Sequence, residues 1–388
     1  MMSSSYDVAI VGGGPAGSTC ARTLVSGGAR VVVIDRARFP RVKLCAGWLS
    51  AGIWDVLQLA PRDYPRALWE WRVCHVHYRG KDYAIPGKGW FIRRYELDDF
   101  LLHRSGAELR LGVHVKQLAR DGDDQRWTIE LPDGETIRAR YLVGAGGTHC
   151  PVARLLAPRR PRRALGVQEL ELQTDPAAIE RTRLGRDGEP ELLLFDDIGG
   201  YGWNVPKSDW INLGCGTLDA NAVHDAWNVT HAHLSSAGHV PREAEAELVH
   251  LKGHSYFLYD PVHLERASRD DALLVGDSLG LAHPITGEGI LPAAVSGRCA
   301  AEAILAGAPG SYAARLAHHE VIEDYHRVHR LVAAAGKLRR RTATSSSRFA
   351  SNLGRYAVAR GFGWMFSGTK LPAPRLIDRV IELLPSGR

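Results

Sequence analysis

Short apolar runs broken by glycine mark the first third of the chain. Residues 8–11 are apolar, Gly12-Gly13-Gly14-Pro15-Ala16-Gly17 follows, and residues 18–25 space their apolar positions as a helix does. Residues 30–35 hold a second run, Val31-Val32-Val33-Ile34, which ends on Asp35. Runs this short between turn residues predict buried strands, so the opening reads strand, tight turn, helix, strand. Two alternating runs within 127–139 flank Pro132-Asp133-Gly134, which predicts a hairpin. Residues 141–144 form another short strand ending in glycine.

The pattern changes after residue 154. Pro158-Arg159-Arg160-Pro161-Arg162-Arg163 is a basic, proline-punctuated connector. Beyond it, residues 167–172 alternate polar and apolar as a half-exposed antiparallel strand does, and 192–195 and 210–215 predict further strands. An apolar strand returns at 272–275, followed by Gly276-Asp277 and a small-residue helix over 291–305. The expected fold is α/β: a doubly wound, Rossmann-like nucleotide-binding lobe from residues 1–155 and 270–310, an inserted antiparallel-sheet substrate lobe at 156–269, and a C-terminal helical segment at 311–388.

Composition narrows the class. At 388 residues the chain can bury two lobes, and 24% charged residues place it among ordinary globular proteins rather than disordered ones. No run approaches the roughly 18 apolar residues of a membrane span. The opening leaves no room for a leader before Tyr6, so a cytoplasmic protein is expected. Cys20, Cys45, Cys74, Cys150, Cys215 and Cys299 are scattered, as reduced thiols are.

The net charge of +6 is uneven: residues 311–388 carry 14 Lys and Arg against 5 Asp and Glu. Lys337, Arg339, Arg340 and Arg341 precede Phe362-Gly363-Trp364-Met365-Phe366, a combination that suits peripheral contact with an anionic membrane or, more plainly, a solvated helical face. Nucleic-acid binding is not expected, because no reading module accompanies the charge. His75 and His77 alternate along a strand, and His231, His233 and His239 lie close in sequence. No cysteine or carboxylate completes them in the sequence, so no metal is expected.

The chemistry begins at Gly12-x-Gly14-x-x-Gly17. Gly12 permits the tight turn, Gly14 lets a pyrophosphate approach the backbone, and Gly17 lets helix and strand pack closely. Free N–H groups at the helix start meet the phosphate charge beside Pro15, which has no N–H of its own, and Ala16. Asp35 ends the next strand, where an acid binds ribose hydroxyls. A second segment is more discriminating: Gly276-Asp277, then His283-Pro284-Ile285-Thr286-Gly287-Glu288-Gly289-Ile290. An acid after a strand end can hold a ribityl hydroxyl, and glycines opening a helix aim its dipole at an electron-rich ring edge.

With these residues in place the chain resembles the flavoprotein superfamily of aromatic hydroxylases, flavin-dependent halogenases and geranylgeranyl reductases. Pro284 to Ile290 is most similar to the geranylgeranyl reductase branch. The resemblance implies bound FAD, with Arg36, Arg94 and Val115 also at the cofactor. It places Lys43-Leu44-Cys45-Ala46-Gly47-Trp48 beside the isoalloxazine, with Cys45 and Ala46 at the ring and Cys45 as the candidate catalytic residue. Cys45 reads equally as a small buried hydrophobe. Tyr201-Gly202-Trp203-Asn204-Val205-Pro206 resembles a Tyr-x-Trp-x-Phe-Pro signature, which makes Tyr201, Trp203 and Pro206, together with Trp48, candidate substrate contacts.

The implied activity is hydride transfer from reduced FAD to a carbon–carbon double bond of a hydrophobic, isoprenoid-like substrate. NAD(P)H or a ferredoxin-type protein would be the electron donor. A monooxygenase or halogenase is the alternative, the latter needing a cavity lysine such as Lys81 or Lys88; a flavoprotein electron carrier or assembly factor is the third. Gly144-Ala145-Gly146-Gly147 departs from the hydroxylases' Gly-Ala-Asp-Gly, which argues against their mode of handling the nicotinamide.

Overall fold

The computed structural model describes residues 3–156, 164–182, 188–196, 199–341, 360–363 and 365–366. The basic connector 158–163, Trp364 and the side chains of Lys337, Arg339, Arg340 and Arg341 lie outside the described residues. Two sheets organise the rest.

The first sheet has five parallel strands in the spatial order Ala272–Leu274, Thr136–Gly144, Ser3–Val11, Val31–Asp35, Glu108–Leu111. Ser268–Arg269 adds an antiparallel edge, and Gln117–Arg120 and Trp127–Glu130 form a meander leading into Thr136–Gly144. Parallel neighbours need a crossover, supplied between the first two strands by the helix Pro15–Ser26. Both faces are covered, so Val8, Ile10, Val32 and Val33 are all buried and the strands read as unbroken apolar runs. The hairpin expected around Pro132-Asp133-Gly134 is present, with Gly134 at φ +86°.

Close backbone packing fixes where this lobe binds. A Cβ at Gly17 would lie 1.9 Å from the Gly12 carbonyl oxygen, and one at Gly297 would lie 2.2 Å from that of Ala16. Helices Pro15–Ser26 and Ile290–Leu305 therefore touch through their backbones. Their N-termini come together at the carboxyl ends of the parallel strands, the end at which open α/β sheets bind ligands.

The second sheet runs Lys252–Phe257, Ala164–Gln173, Trp210–Thr217, Gly200–Lys207, Glu191–Leu194, Trp69–Tyr78, Lys81–Phe91, Trp48–Leu49. Its last three strands come from residues that the sequence pattern placed in the first lobe. They are joined to the rest by a parallel pairing of Glu191–Leu194 with Trp69–Tyr78, a contact across more than a hundred residues that local periodicity does not encode. Arg79 and Gly80, both at positive φ, form the two-residue turn between Trp69–Tyr78 and Lys81–Phe91.

Helix Val223–Ser236 covers one face of this sheet, packing Trp227 and Leu234 against Leu170, Ile211 and Leu213. The other face looks into the interior between the lobes. Strand Ala164–Gln173 is thus covered on both sides rather than half exposed, and Glu169 is buried. Helix Glu320–Arg341 buries Ile322, Tyr325 and Val328, and the chain returns at 360–366 to pack Phe362 and Phe366 on Tyr201. Among the described residues no helix is long and apolar enough to cross a membrane.

Candidate functional site

A cavity of ≈ 660 Å³ lies between the two sheets, within the roughly 300–1,000 Å³ of cofactor and small-molecule sites. It has three stretches of different chemistry.

The first is built by the glycine turn. Gly12 sits at φ +115°, and a Cβ there would collide with the Ala145 carbonyl at 2.3 Å. Gly14 differs: a Cβ there would meet only an Arg41 nitrogen at 3.6 Å. The protein's own packing does not require a glycine at 14, so the space it leaves faces the cavity. Asp35 accepts the Gly13 N–H at 2.7 Å through Oδ2 and the Ala37 N–H at 2.8 Å through Oδ1. The carboxylate therefore shapes the turn while standing at the cavity wall with Arg36 and, opposite, Val115. Pro15 and Ala16 open a helix whose cap, Gly14, offers no side-chain acceptor, so its first N–H groups face the cavity.

The middle stretch carries charge. Arg94 makes a bidentate pair with Asp98 at 2.6 and 2.7 Å, and Arg41 reaches the same carboxylate at 3.1 Å. The Asp277 carboxylate has no hydrogen-bond partner among the described residues, although its backbone carbonyl accepts the Gly280 N–H at 3.1 Å. Burial raises its pKa above the ordinary value, and Lys43 and Arg94 pull it back. The carboxylate is half-buried and opens onto the cavity, where a ligand hydroxyl could donate to it. Glu288 accepts the Ser50 hydroxyl at 2.8 Å, and burial pushes its pKa up to about 7. Gly287, at φ +70°, passes beneath Tyr256, whose hydroxyl would be 2.4 Å from any Cβ there. Gly289 and Ile290 then open the second helix, again without a side-chain cap.

The third stretch is the inner face of the second sheet. Strand register sets two rows across it, Tyr201–Gly216–Val167 and Trp203–Gly214–Glu169. A Cβ at Gly214 would fall 2.4 Å from Trp203 Cζ2 and 2.7 Å from Glu169 Cβ, so this glycine makes room for both neighbours. Trp203 Nε1 donates to Asn212 Oδ1 at 2.7 Å, and the Tyr201 hydroxyl donates to the Thr286 carbonyl, tying sheet to cofactor loop. Glu169 is 1% exposed, its Oε1 has no partner, and burial pushes its pKa up to about 8. Cys45 Sγ accepts the Gly47 N–H at 3.3 Å, and burial raises its thiol, keeping it protonated. Trp48 closes the end: Nε1 donates to the Phe366 carbonyl at 2.8 Å, and its ring packs on Trp71, Phe91 and Phe366.

Most of the candidate residues gather at this wall, Ala46 and Thr286 included. Four do not. Gly17 and Gly276 pack helix against strand or helix, with a Cβ at Gly276 coming 3.0 Å from that of Ala16. Pro284 is buried behind the loop. Pro206 lies on the opposite face of its strand from Tyr201 and Trp203, because alternate residues point opposite ways. Lys81 and Lys88 are exposed on the outer hairpin, and Lys88 pairs with Glu70 at 3.9 Å. Lys43 faces the cavity instead, beside Arg94 and Asp277.

Glu169, His254 and Tyr256 went unseen in the sequence; alternation alone does not tell a cavity from solvent. The histidines also gather, away from the cavity, and there Glu191 supplies the carboxylate that the sequence spacing lacked.

The orphan Asp277, the room before Gly14 and two uncapped helix N-termini suit a long anionic dinucleotide with a polyol and a ring. Residues 5–60 match the family described as FAD binding domain. The digeranylgeranylglycerophospholipid reductase 2 of Methanopyrus kandleri is 29% identical over 309 residues, 76% of each chain. The menaquinone reductase of Mycobacterium tuberculosis is 26% identical over 340 residues, 77% of this chain and 76% of that one. A geranylgeranyl bacteriochlorophyll reductase-like structure from Thermoplasma acidophilum shares the fold at TM-score 0.64 and 18% identity, across 100% of this chain and 93% of that one. The chain is a flavoprotein, an FAD-dependent oxidoreductase similar to the geranylgeranyl reductases.

Proposed function

We propose that the protein saturates a carbon–carbon double bond in a hydrophobic, isoprenoid-like substrate. The observation that carries this reading is Glu169, a buried carboxyl without a partner at the apolar end of the flavin cavity. Saturating an alkene takes a hydride on one carbon and a proton on the other. FAD held along Gly14, Asp35, Asp277 and Gly289 would supply the hydride in its reduced form, the reducing equivalents coming from a nicotinamide or ferredoxin-type donor.

Glu169 supplies the proton. Its burial keeps it protonated at neutral pH, and a nearby thiol, Cys45, is the second proton-bearing group on that wall. Tyr201 and Trp203 hold the alkene between sheet and cofactor, and Trp48 with Phe366 limits how far an apolar tail extends. Sequence relatives named for reducing prenylated lipids and menaquinone support the substrate class. Such a substrate resides in lipid, which suits the basic excess after residue 311.

The test is anaerobic. FAD in the protein is reduced chemically, then mixed with prenylated lipids, menaquinones or oxygen, and products are weighed by mass spectrometry. The reading expects reoxidation by an alkene and a product heavier by two hydrogens. Reoxidation by oxygen alone, with a hydroxylated or chloride-dependent halogenated product, would replace it with the oxygenase or halogenase reading, for which Lys43 is then the residue to vary.

A further inference from the structure

The outer face of the second sheet, turned away from the flavin, holds a cluster that the reaction does not use. His77 on strand Trp69–Tyr78 and Glu191 on strand Glu191–Leu194 point to that face, while their neighbours Val76 and Leu192 point inward. Helix Val223–Ser236 brings His233 over them, and His239 follows just after the helix ends.

Two imidazoles contact one carboxylate and a third stands close by. Glu191 Oε2 lies 2.8 Å from His77 Nε2, 2.8 Å from His239 Nδ1 and 3.9 Å from His233 Nε2. Glu191 is 1% and His239 2% exposed. Hydrogen bonding alone does not satisfy the group. Two short contacts fill Oε2, and His233 Nε2, shut off from water, is left with no hydrogen-bond partner. An unpaired buried nitrogen of this kind is destabilising.

A cation at the centre would engage His77, His239 and Glu191, whose donor atoms all lie within 4.8 Å of one another, with His233 standing outside that set. In tetrahedral zinc, bonds of about 2.0–2.1 Å set the donors roughly 3.3 Å apart. The carboxylate stands 2.8 Å from each of the two imidazole donors, a little inside that value. Asn204 Nδ2, donating to Glu191 Oε1 at 2.9 Å, supplies the outer hydrogen bond that orients a ligating carboxylate.

We infer that His77, His239 and Glu191 form a site for a divalent transition metal, best suited to zinc. Three protein donors leave a fourth position, which a water would fill. The ion would staple two strands of the second sheet to the segment that follows the helix covering them.

Protein made without a histidine tag and gel-filtered should carry about one zinc per chain by elemental analysis. Cobalt(II) added to chelator-stripped protein should give the intense visible bands of a tetrahedral site. Glu191→Gln and His239→Ala should each abolish the bands, and flavin absorbance in the same samples reports whether the fold survived. A yellow wild-type protein with no zinc, no cobalt bands and no rise in melting temperature on adding zinc would overturn the site and leave a hydrogen-bonded cluster. Bands that persist in both flavin-bearing variants would overturn it as well.

Discussion

A carboxyl kept from water and given no donor holds on to its proton, and Glu169 is in that position. Glu169→Gln should slow alkene-dependent reoxidation by about 10²- to 10⁴-fold while leaving FAD content unchanged. The wild-type rate should fall as pH rises through about 8, and the variant should lose that limb; single-turnover measurements across pH check both. The same shift bears on stability. A pKa raised in the folded state contributes stability that is full at acid pH and is lost as pH climbs through about 8, so Glu169→Gln should flatten the alkaline fall in melting temperature.

Asp277→Ala should weaken FAD binding by about 1–3 kcal/mol with little change in the apoprotein's melt, because its carboxylate has no partner to lose. Asp35→Ala should lower both, since the Gly13 and Ala37 N–H groups lose their acceptor; FAD titrations beside apoprotein melts separate the two. The glycines and Asp277 were legible in the sequence because close approach and strand-end position are written in residue type. Glu169 was not, since a glutamate alternating with apolar residues reads as facing water. The misplacement of Pro206 was avoidable, because a period of two already sets it opposite Trp203.

At the next scale, two helix starts and one short strand decide what the cavity admits. Gly297→Val would drive a branched side chain into the Ala16 carbonyl, 2.2 Å from where its Cβ must sit, and would spread the helices whose N-termini flank the cofactor. A loss of about 1–3 kcal/mol in a thermal or urea melt, together with weaker FAD retention, is expected. Strand Trp48–Leu49 matters through its indole, which joins three aromatic rings and also faces the cavity. Trp48→Gly should therefore destabilise by about 3–5 kcal/mol and broaden acceptance toward longer isoprenoids, with Trp48→Phe intermediate in both; melts beside a chain-length series test it. An unchanged chain-length preference in the flavin-bearing Trp48→Phe variant would confine the indole to packing. The strands at 8–11, 31–35, 141–144 and 272–274 were readable as short apolar runs, whereas Glu108–Leu111, with its alternating charges, was not. The hairpin built from Trp69–Tyr78 and Lys81–Phe91 was not, as its partner strand lies far along the chain.

Taken whole, the molecule is two sheets with one cavity lined by both, so FAD bound there should stabilise both at once. At a hundred times its dissociation constant, FAD should add about 2.7 kcal/mol against unfolding, as a single cooperative transition at higher temperature. The chain also passes back and forth between the sheets: strands at 3–35 belong to the first, 48–91 to the second, 108–144 to the first, 164–257 to the second and 268–274 to the first again. During synthesis, strand Ser3–Val11 must wait for a neighbour that emerges more than a hundred residues later. Residues 160–265, the interval a gene engineer would excise as a cap module, would emerge with Glu191–Leu194 as a raw apolar edge stripped of its partner. A chimera that borrows a relative's substrate specificity must transplant 48–91 and 164–258 together, and a single-segment graft should aggregate instead of changing substrate.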